Sequence, residues 1–254
     1  MRILIVDNSN TRTKFALATP EALLDWRAVI PTAEISPATL GKALDGTDWD
    51  VSITSSVVPE KAAILDSFLS HKPSHRLSHL SKLPIGISYP HPAQIGADRL
   101  ANSVGAHHLY GSPCIVLDFG TAVTFDVIAK KNDTDPQAAY QGGVIAPGLA
   151  SMTEGLARRT ALLPHIQLEE PHRAIGKSTE EAMLAGAVYG YRGLVREILA
   201  ELRKELPAKP VVVATGGDAP LITKGLPEIS ELAPALTLDG LRIIACHNFQ
   251  KEPT

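Results

Sequence analysis

Residues 114–128 read CIVLDFGTAVTFDVI, an apolar strand, an Asp, a turn of small residues and a second apolar strand. The same order opens the chain in RILIVDNSNTRTKFALA (2–18). Laying VDNSNTRTKFAL beside LDFGTAVTFDVI sets Asp7 against Asp118, Ser9 against Gly120 and Asn10 against Thr121. One such hairpin is common. Two, each with an Asp at the end of a buried strand, predict a doubled chain, and with helices mixed among the strands around them the fold class is α/β.

The elements between these hairpins alternate. A third strand is expected over 24–30, a short helix from Pro37 to Leu44, and a strand starting in VSITSSVV (51–58). Pro59 stands at the start of a further helix, where its missing N–H is tolerated. The Pro- and Gly-rich run KLPIGISYPHPAQIG (82–96) reads as a loop, followed by a helix from Asp98 to Leu109. Beyond the second hairpin come a helix over Ala150 to Arg159 and a long one reaching Leu206. Ser178 or Thr179 caps the long helix, with Glu181 in its first turn. Gly186 and Gly190, four apart on it, predict a close neighbour. A strand over 211–215 then runs into GGD (216–218), and a helix near 239–249 follows. The expected domains are 1–110 and 111–254.

Of the 254 residues 44% are hydrophobic and 20% charged, which suits a folded globular chain and is too apolar for disorder. A net charge of −3 supplies no basic footprint, so neither a nucleic acid nor an anionic membrane is an expected partner. Cys114 and Cys246 lie far apart in no redox or metal spacing, and the N-terminal apolar run turns polar too soon for a signal peptide; a cytoplasmic protein is expected.

An ionised Asp beside a turn of outward N–H groups and hydroxyls offers donors for phosphate oxygens and a carboxylate for a metal or its waters. Asp7 and Asp118 could equally make local Asx turns. The pair, joined by the third Gly-rich turn at 216–218, favours a ligand site at strand ends. GADR (96–99) places a carboxylate and a guanidinium at a helix start. Asp98 is either a charge favoured by the helix macrodipole or a general base, and Arg99 either a surface residue or the holder of an anion. IGKST (175–179) ends like a phosphate loop, but Pro171 stands where that motif needs Gly, so a helix cap explains it as well. His71, His75 and His79 are four apart, yet Pro73 interrupts any helix that would align them as metal ligands.

Taken together, the chain resembles the type III pantothenate kinases, of the acetate kinase, sugar kinase, heat-shock chaperone and actin superfamily. The resemblance rests on Asp7-Asn8-Ser9-Asn10-Thr11 with Lys14, SSVVP (55–59), Tyr89 before Gly96-Ala97-Asp98-Arg99, DFGTAVTFD (118–126), GGVIAPGL (142–149), GKST (176–179) and TGG (215–217). It implies two tandem ribonuclease-H-like domains in the actin-like ATPase fold, with the nucleotide in the cleft between them. It also implies a homodimer and ATP-dependent phosphorylation of pantothenate, the first step towards coenzyme A. The alternatives are a non-catalytic regulatory homologue and a kinase of another small substrate.

By position, the resemblance makes Asp7, Asn8, Ser9, Asn10, Thr11, Arg12, Thr13 and Lys14 the first phosphate-binding loop and puts Thr121 on the second. Asp98 becomes the proton acceptor, with Tyr89, Gly96, Ala97, Asp98, Arg99 and Thr179 as pantothenate contacts. Asp118 becomes the ligand of a monovalent cation, K⁺ or NH₄⁺, used beside the Mg²⁺ that accompanies ATP. Ser9 departs from the family's Asp-x-Gly-Asn-Thr; if that position required φ > 0, Ser would be strained there. Tyr89-Pro90-His91-Pro92 likewise departs from Tyr-x-Asn-Pro.

Overall fold

The computed structural model describes residues 1–130 and 137–249. β1 (Ile3–Asn8), β2 (Arg12–Ala18) and β3 (Leu23–Pro31) form an antiparallel meander, followed by α1 (Pro37–Ala43), β4 (Val51–Ser56), α2 (Pro59–Leu69) and β5 (Ser74–Arg76). The strand order is β3-β2-β1-β4-β5, with β4 parallel to both β1 and β5. Alternate residues leave opposite faces of a strand, and here both faces are buried. Ile3, Ile5, Ala16, Ala18 and Ile53 face one core, while Leu4, Val6, Phe15 and Leu17 face another, filled by Leu40, Leu65 and Leu69 of α1 and α2. Ser36 caps α1 by accepting from the Thr39 N–H, and Pro59 opens α2 as expected.

The expected loop over 82–96 holds β6 (Gly86–Ile87) and a short 3₁₀ turn, Pro92–Gln94. This strand exists through a distant partner: Gly86 and Ile87 pair with Ala139 and Tyr140. α3 (Ala97–Tyr110) then packs Leu100, Ala101 and Val104 into the first core.

The second hairpin follows as β7 (Cys114–Phe119) and β8 (Ala122–Ala129), then β9 (Ala139–Pro147), α4 (Leu149–Arg159), α5 (Thr179–Lys204), β10 (Val211–Gly216), the single turn α6 (Ala219–Ile222) and β11 (Glu231–Leu232). In the second unit the order is β11-β10-β7-β8-β9, with β10 parallel to β7 and β8 antiparallel to it. Val188, Tyr191, Val195 and Leu199 of α5 pack with Ile115, Leu117, Val212 and Ala214 of this sheet. Both cores repeat one plan.

The chain ends its described part with α7 (Leu236–Phe249), which does not stay with the second unit. One compact unit takes Met1–Leu109, the stretch ending at Tyr140 and the chain from Ala235 onward; the other takes most of the chain between. These units depart from a division at residue 110 in two places, each for a physical reason: Ala139 and Tyr140 pair with β6, and Leu238, Leu241, Ile243, Ile244 and Ala245 of α7 complete the apolar face of the first sheet. Close packing of α7 on α3 depends on glycine. A Cβ on Gly105 would stand 2.8 Å from the Leu236 carbonyl oxygen, and one on Gly240 would strike the Ala101 carbonyl. The glycines of α5 behave otherwise: among the described residues nothing lies within 4 Å of where a Cβ on Gly186, Gly190 or Gly193 would stand.

Candidate functional site

At the carboxyl ends of β1 and β4 the apolar rows of the first sheet turn polar, and the two faces do so differently. Asn8 lies in register between Thr13 and Ser56. The Ser56 hydroxyl donates to Asn8 Oδ1 at 2.6 Å, Asn8 Nδ2 donates to Thr13 Oγ1 at 2.7 Å, and Thr13 Oγ1 meets Thr32 Oγ1 at 3.0 Å. Thr32 donates to the Ser9 carbonyl at 2.7 Å, so its proton is committed and Thr13 is the donor of the bond between them. This one-way chain of hydrogen bonds pins the first turn from beneath. Asn8 and Thr13 are 1% and 0% exposed and point inward.

Asp7 belongs to the other row, in register between Lys14 and Ser55. Its carboxylate lies 3.6 Å from Lys14 Nζ and accepts from the Ser9 hydroxyl at 3.1 Å. Ser55 is 1% exposed, and among the described residues its hydroxyl has no hydrogen-bond partner. Above both rows the Ser9 N–H donates to the Arg12 carbonyl at 3.2 Å, closing the turn and leaving Asn10, Thr11, Arg12 and Lys14 exposed. Among the described residues no non-glycine residue has a positive φ, so Ser9 replaces the family's Gly without strain.

The second hairpin is one residue tighter. Asp118 pairs with Thr124, six positions on, where Asp7 pairs with Lys14, seven on. Its turn is Gly120-Thr121, closed by the Gly120 N–H donating to the Ala122 carbonyl at 3.0 Å. Backbone braces this turn. The Thr121 carbonyl accepts from the Gly148 N–H at 3.1 Å and the Ser151 hydroxyl at 3.0 Å. A Cβ on Gly148 would strike the Gly120 and Thr121 carbonyls. Gly216, at φ 94°, lies so close to Phe119 that a Cβ there would meet its carbonyl carbon at 2.6 Å. The Asp218 N–H reaches the Phe119 carbonyl at 3.3 Å, and burial raises the Asp218 carboxyl above the usual range. Half-buried Asp118 lies in register between Thr124 and Thr215, so hydroxyl-bearing residues flank it on both strands.

A third constellation gathers at the start of α3. Arg99 N–H donates to Asp98 Oδ1 at 2.8 Å, and a Cβ on Gly96 would lie 2.5 Å from that oxygen, so glycine makes the room the carboxylate occupies. Burial raises the Asp98 carboxyl against the lowering effect of Arg99. The Arg99 guanidinium stands 5.7 Å over the Tyr140 ring, and Tyr140 meets Tyr89 edge-on at 6.0 Å. The structure thus brings Tyr89, Gly96, Ala97, Asp98 and Arg99 together and adds Tyr140, which sequence reasoning missed. Its only signal was an isolated aromatic ahead of GGV.

Thr179 belongs to a different element. It is the exposed first residue of α5, whose cap is Ser178, accepting from the Glu181 N–H at 3.1 Å, while the Glu181 carboxylate takes the Lys177 N–H at 2.7 Å. GKST is therefore a capped helix start in the second unit. Among the described residues no group of three His, Cys, Asp or Glu is placed to hold a metal.

Comparison with known proteins agrees with this architecture. Residues 3–201 match the family described as type III pantothenate kinase. A type III pantothenate kinase of Akkermansia muciniphila is 58% identical over 245 residues, covering 96% of this chain and 98% of that one. One from Methylacidiphilum infernorum is 41% identical over 95% of this chain and 87% of its own. Among solved structures, a Campylobacter jejuni protein described as a Baf family transcriptional activator superposes with a TM-score of 0.62 at 18% identity, covering 96% of this chain and 98% of that one, a likeness of fold alone. With two α/β units that each carry the strand–Asp–turn hairpin, the actin-like ATPase fold, the chain belongs to the type III pantothenate kinase family.

Proposed function

We propose that the chain phosphorylates pantothenate with ATP, opening coenzyme A biosynthesis, and that Asp98 is the general base. The observation that carries the reading is the Asp98 carboxyl, raised by burial and held at a helix start by Gly96 and the Arg99 N–H. A carboxylate with a raised pKa accepts a proton more strongly near neutral pH. In this reading Asp98 takes the proton of the primary hydroxyl of pantothenate as that oxygen attacks the γ-phosphorus, the bond from that phosphorus to the β,γ-bridging oxygen breaks, and ADP leaves. Arg99, braced on Tyr140, holds the pantothenate carboxylate, with Tyr89, Gly96 and Ala97 completing the contacts.

Each unit supplies one phosphate loop. In the first, Asn10, Thr11, Arg12 and Lys14 face the phosphates, while Asn8, Ser9 and Thr13 shape the turn. Asp7 and the orphaned Ser55 hydroxyl form an oxygen donor set that fits a hydrated divalent cation, which prefers to keep several of its waters. That cation, when bound, offsets phosphate charge. In the second loop Thr121 faces the phosphates, and Asp118 between its threonines offers hard oxygen ligands to K⁺ or NH₄⁺.

A homodimer belongs to the same reading, supported by the open glycine face of α5 beside exposed Tyr189, and by exposed Met152 and Leu156 on α4. Light scattering at micromolar concentration is expected to give twice the 27.1 kDa chain mass; a monomer mass ends that part of the proposal. A cytoplasmic location accords with two free thiols, Cys114 and Cys246, and no described helix is long and apolar enough to cross a membrane.

The decisive experiment follows ADP release with and without pantothenate, in K⁺ or Na⁺ buffer, for the wild type and Asp98→Asn. Pantothenate-dependent turnover, faster in K⁺ and reduced roughly 10²–10⁴-fold by the substitution, is expected. Nucleotide binding without turnover points to the non-catalytic homologue, and turnover with a different acceptor to another kinase. Stability should move the opposite way. Because the folded-state pKa of Asp98 is raised, the native state holds its proton more tightly than the unfolded chain. Ionising Asp98 therefore destabilises the fold as pH climbs through that window, and Asp98→Asn should melt higher than wild type at pH 7 but not below the usual carboxylate range.

A further inference from the structure

We propose that Ser55 is a positioning residue of the first phosphate loop: its hydroxyl oxygen accepts a hydrogen bond from a water held on the divalent cation that accompanies the nucleotide, beside the Asp7 carboxylate. The inference rests on the kinase reading given above.

Register and burial carry it. Ser55 is the parallel-strand partner of Asp7, so both side chains leave the same face of the sheet at the carboxyl ends of β1 and β4. Ligands of α/β sheets gather at such ends. The adjacent residue, Ser56, shows what a structural serine does here: it donates to Asn8 and joins the chain of bonds under the turn. Ser55, 1% exposed, has no partner among the described residues, and a buried hydroxyl left unpaired is normally selected against or given a ligand.

The second unit repeats the register and the burial. Asp118 has Thr215, another hydroxyl-bearing residue, as its partner on the parallel strand β10, and Thr215 is 2% exposed. Neither Ser55 nor Thr215 belongs to a turn. A hydroxyl at that depth lies below the exposed turn residues that face the phosphates, and a water carried by the cation is the small group suited to reach it. Ser52 provides the internal contrast. Its hydroxyl is also unpaired among the described residues, but it lies in register with Leu4 and Ser74, four positions back from the strand end.

The test is calorimetric titration of the full chain with ADP across a series of free Mg²⁺ concentrations. Ser55→Ala should raise the Mg²⁺ needed for half-maximal ADP affinity roughly tenfold, the size seen when an outer-shell partner of a metal is removed. ADP affinity in EDTA should be unchanged, and the melting temperature of the free protein should stay level or rise, because an unsatisfied buried hydroxyl is gone. Ser52→Ala should leave the Mg²⁺ dependence alone. Should Ser55→Ala fold poorly, Ser55→Cys keeps the volume with a weak acceptor and should show the same shift. A wild-type Mg²⁺ dependence in a folded Ser55 variant overturns the inference and leaves the kinase reading standing. A wild-type protein that binds no ADP, with or without Mg²⁺, overturns both.

Discussion

The two hairpins share a strand, an Asp and a turn, yet they are held in place by different chemistry. Beneath the first turn runs a chain of side-chain hydrogen bonds from Ser56 through Asn8 and Thr13 to Thr32 and the Ser9 carbonyl. Behind the second lie Gly148 and Gly216, pressed against its backbone where no side chain fits. The turns differ in length by one residue, and the first sets a lysine beside its Asp where the second sets a threonine. Duplication thus keeps the position of the carboxylate and lets the support diverge. A polar network tolerates changes of shape and fails when a donor is lost. Close backbone packing tolerates loss of polarity and fails when a methyl group is added.

Substitutions can break this contrast. The largest effect is expected for Gly216→Ala, which combines a φ of 94° with a Cβ pressed on the Phe119 backbone. Strain and overpacking together should destabilise the protein by about 3 kcal/mol or more in urea unfolding, with nucleotide binding impaired. A loss under 1 kcal/mol would show that the second hairpin is not held by close approach. Next comes Thr13→Val, which keeps the shape but strips Asn8 Nδ2 of its acceptor and Thr32 of its donor; about 1–3 kcal/mol should be lost. A neutral result there would mean that the network merely fills space. The smallest effect sharpens the comparison. Exchanging the equivalent residues, Ser9→Gly or Gly120→Ser, should each change stability by no more than about 1 kcal/mol. Ser9 has no positive φ, and a Cβ on Gly120 would meet only the Ala122 carbonyl, at 3.6 Å. A large loss in either exchange would reveal a backbone requirement that the dihedrals do not.

Much of this was legible because the repeat is written in local terms. An apolar run, an Asp and small turn residues announce both hairpins, and Ser178 with Glu181 announces the start of α5. What stayed hidden depends on distant partners. β6 is only two residues long and pairs with Ala139 and Tyr140, some fifty positions on, so its own composition reads as loop. Tyr140 supports Arg99 through that same pairing. Ser56 and Thr32 reach the first turn from a neighbouring strand and from the segment after β3, which no motif at residues 7–14 records. Inward-facing Asn8 and Thr13 look the same in sequence as exposed Asn10 and Thr11; only strand parity and burial separate the residues that build the loop from those free to meet a ligand. The glycines of α5 announced a close neighbour that the chain itself does not supply, whereas Gly105 and Gly240 accommodate one that composition alone did not mark.

The place of α7 bears on how the chain is made. The ribosome delivers residues in order, and domains fold as units as they emerge, at about 5–20 residues per second. The first sheet is complete early, but Leu241 and Ile244, which cover one of its faces, leave the tunnel only after every element of the second unit. Proteolysis of a released chain truncated after residue 235 should find the first unit labile and the second resistant. Until α7 emerges, the nascent chain carries a bare apolar sheet face, and α7 acts as the latch that makes the amino-terminal half a finished domain.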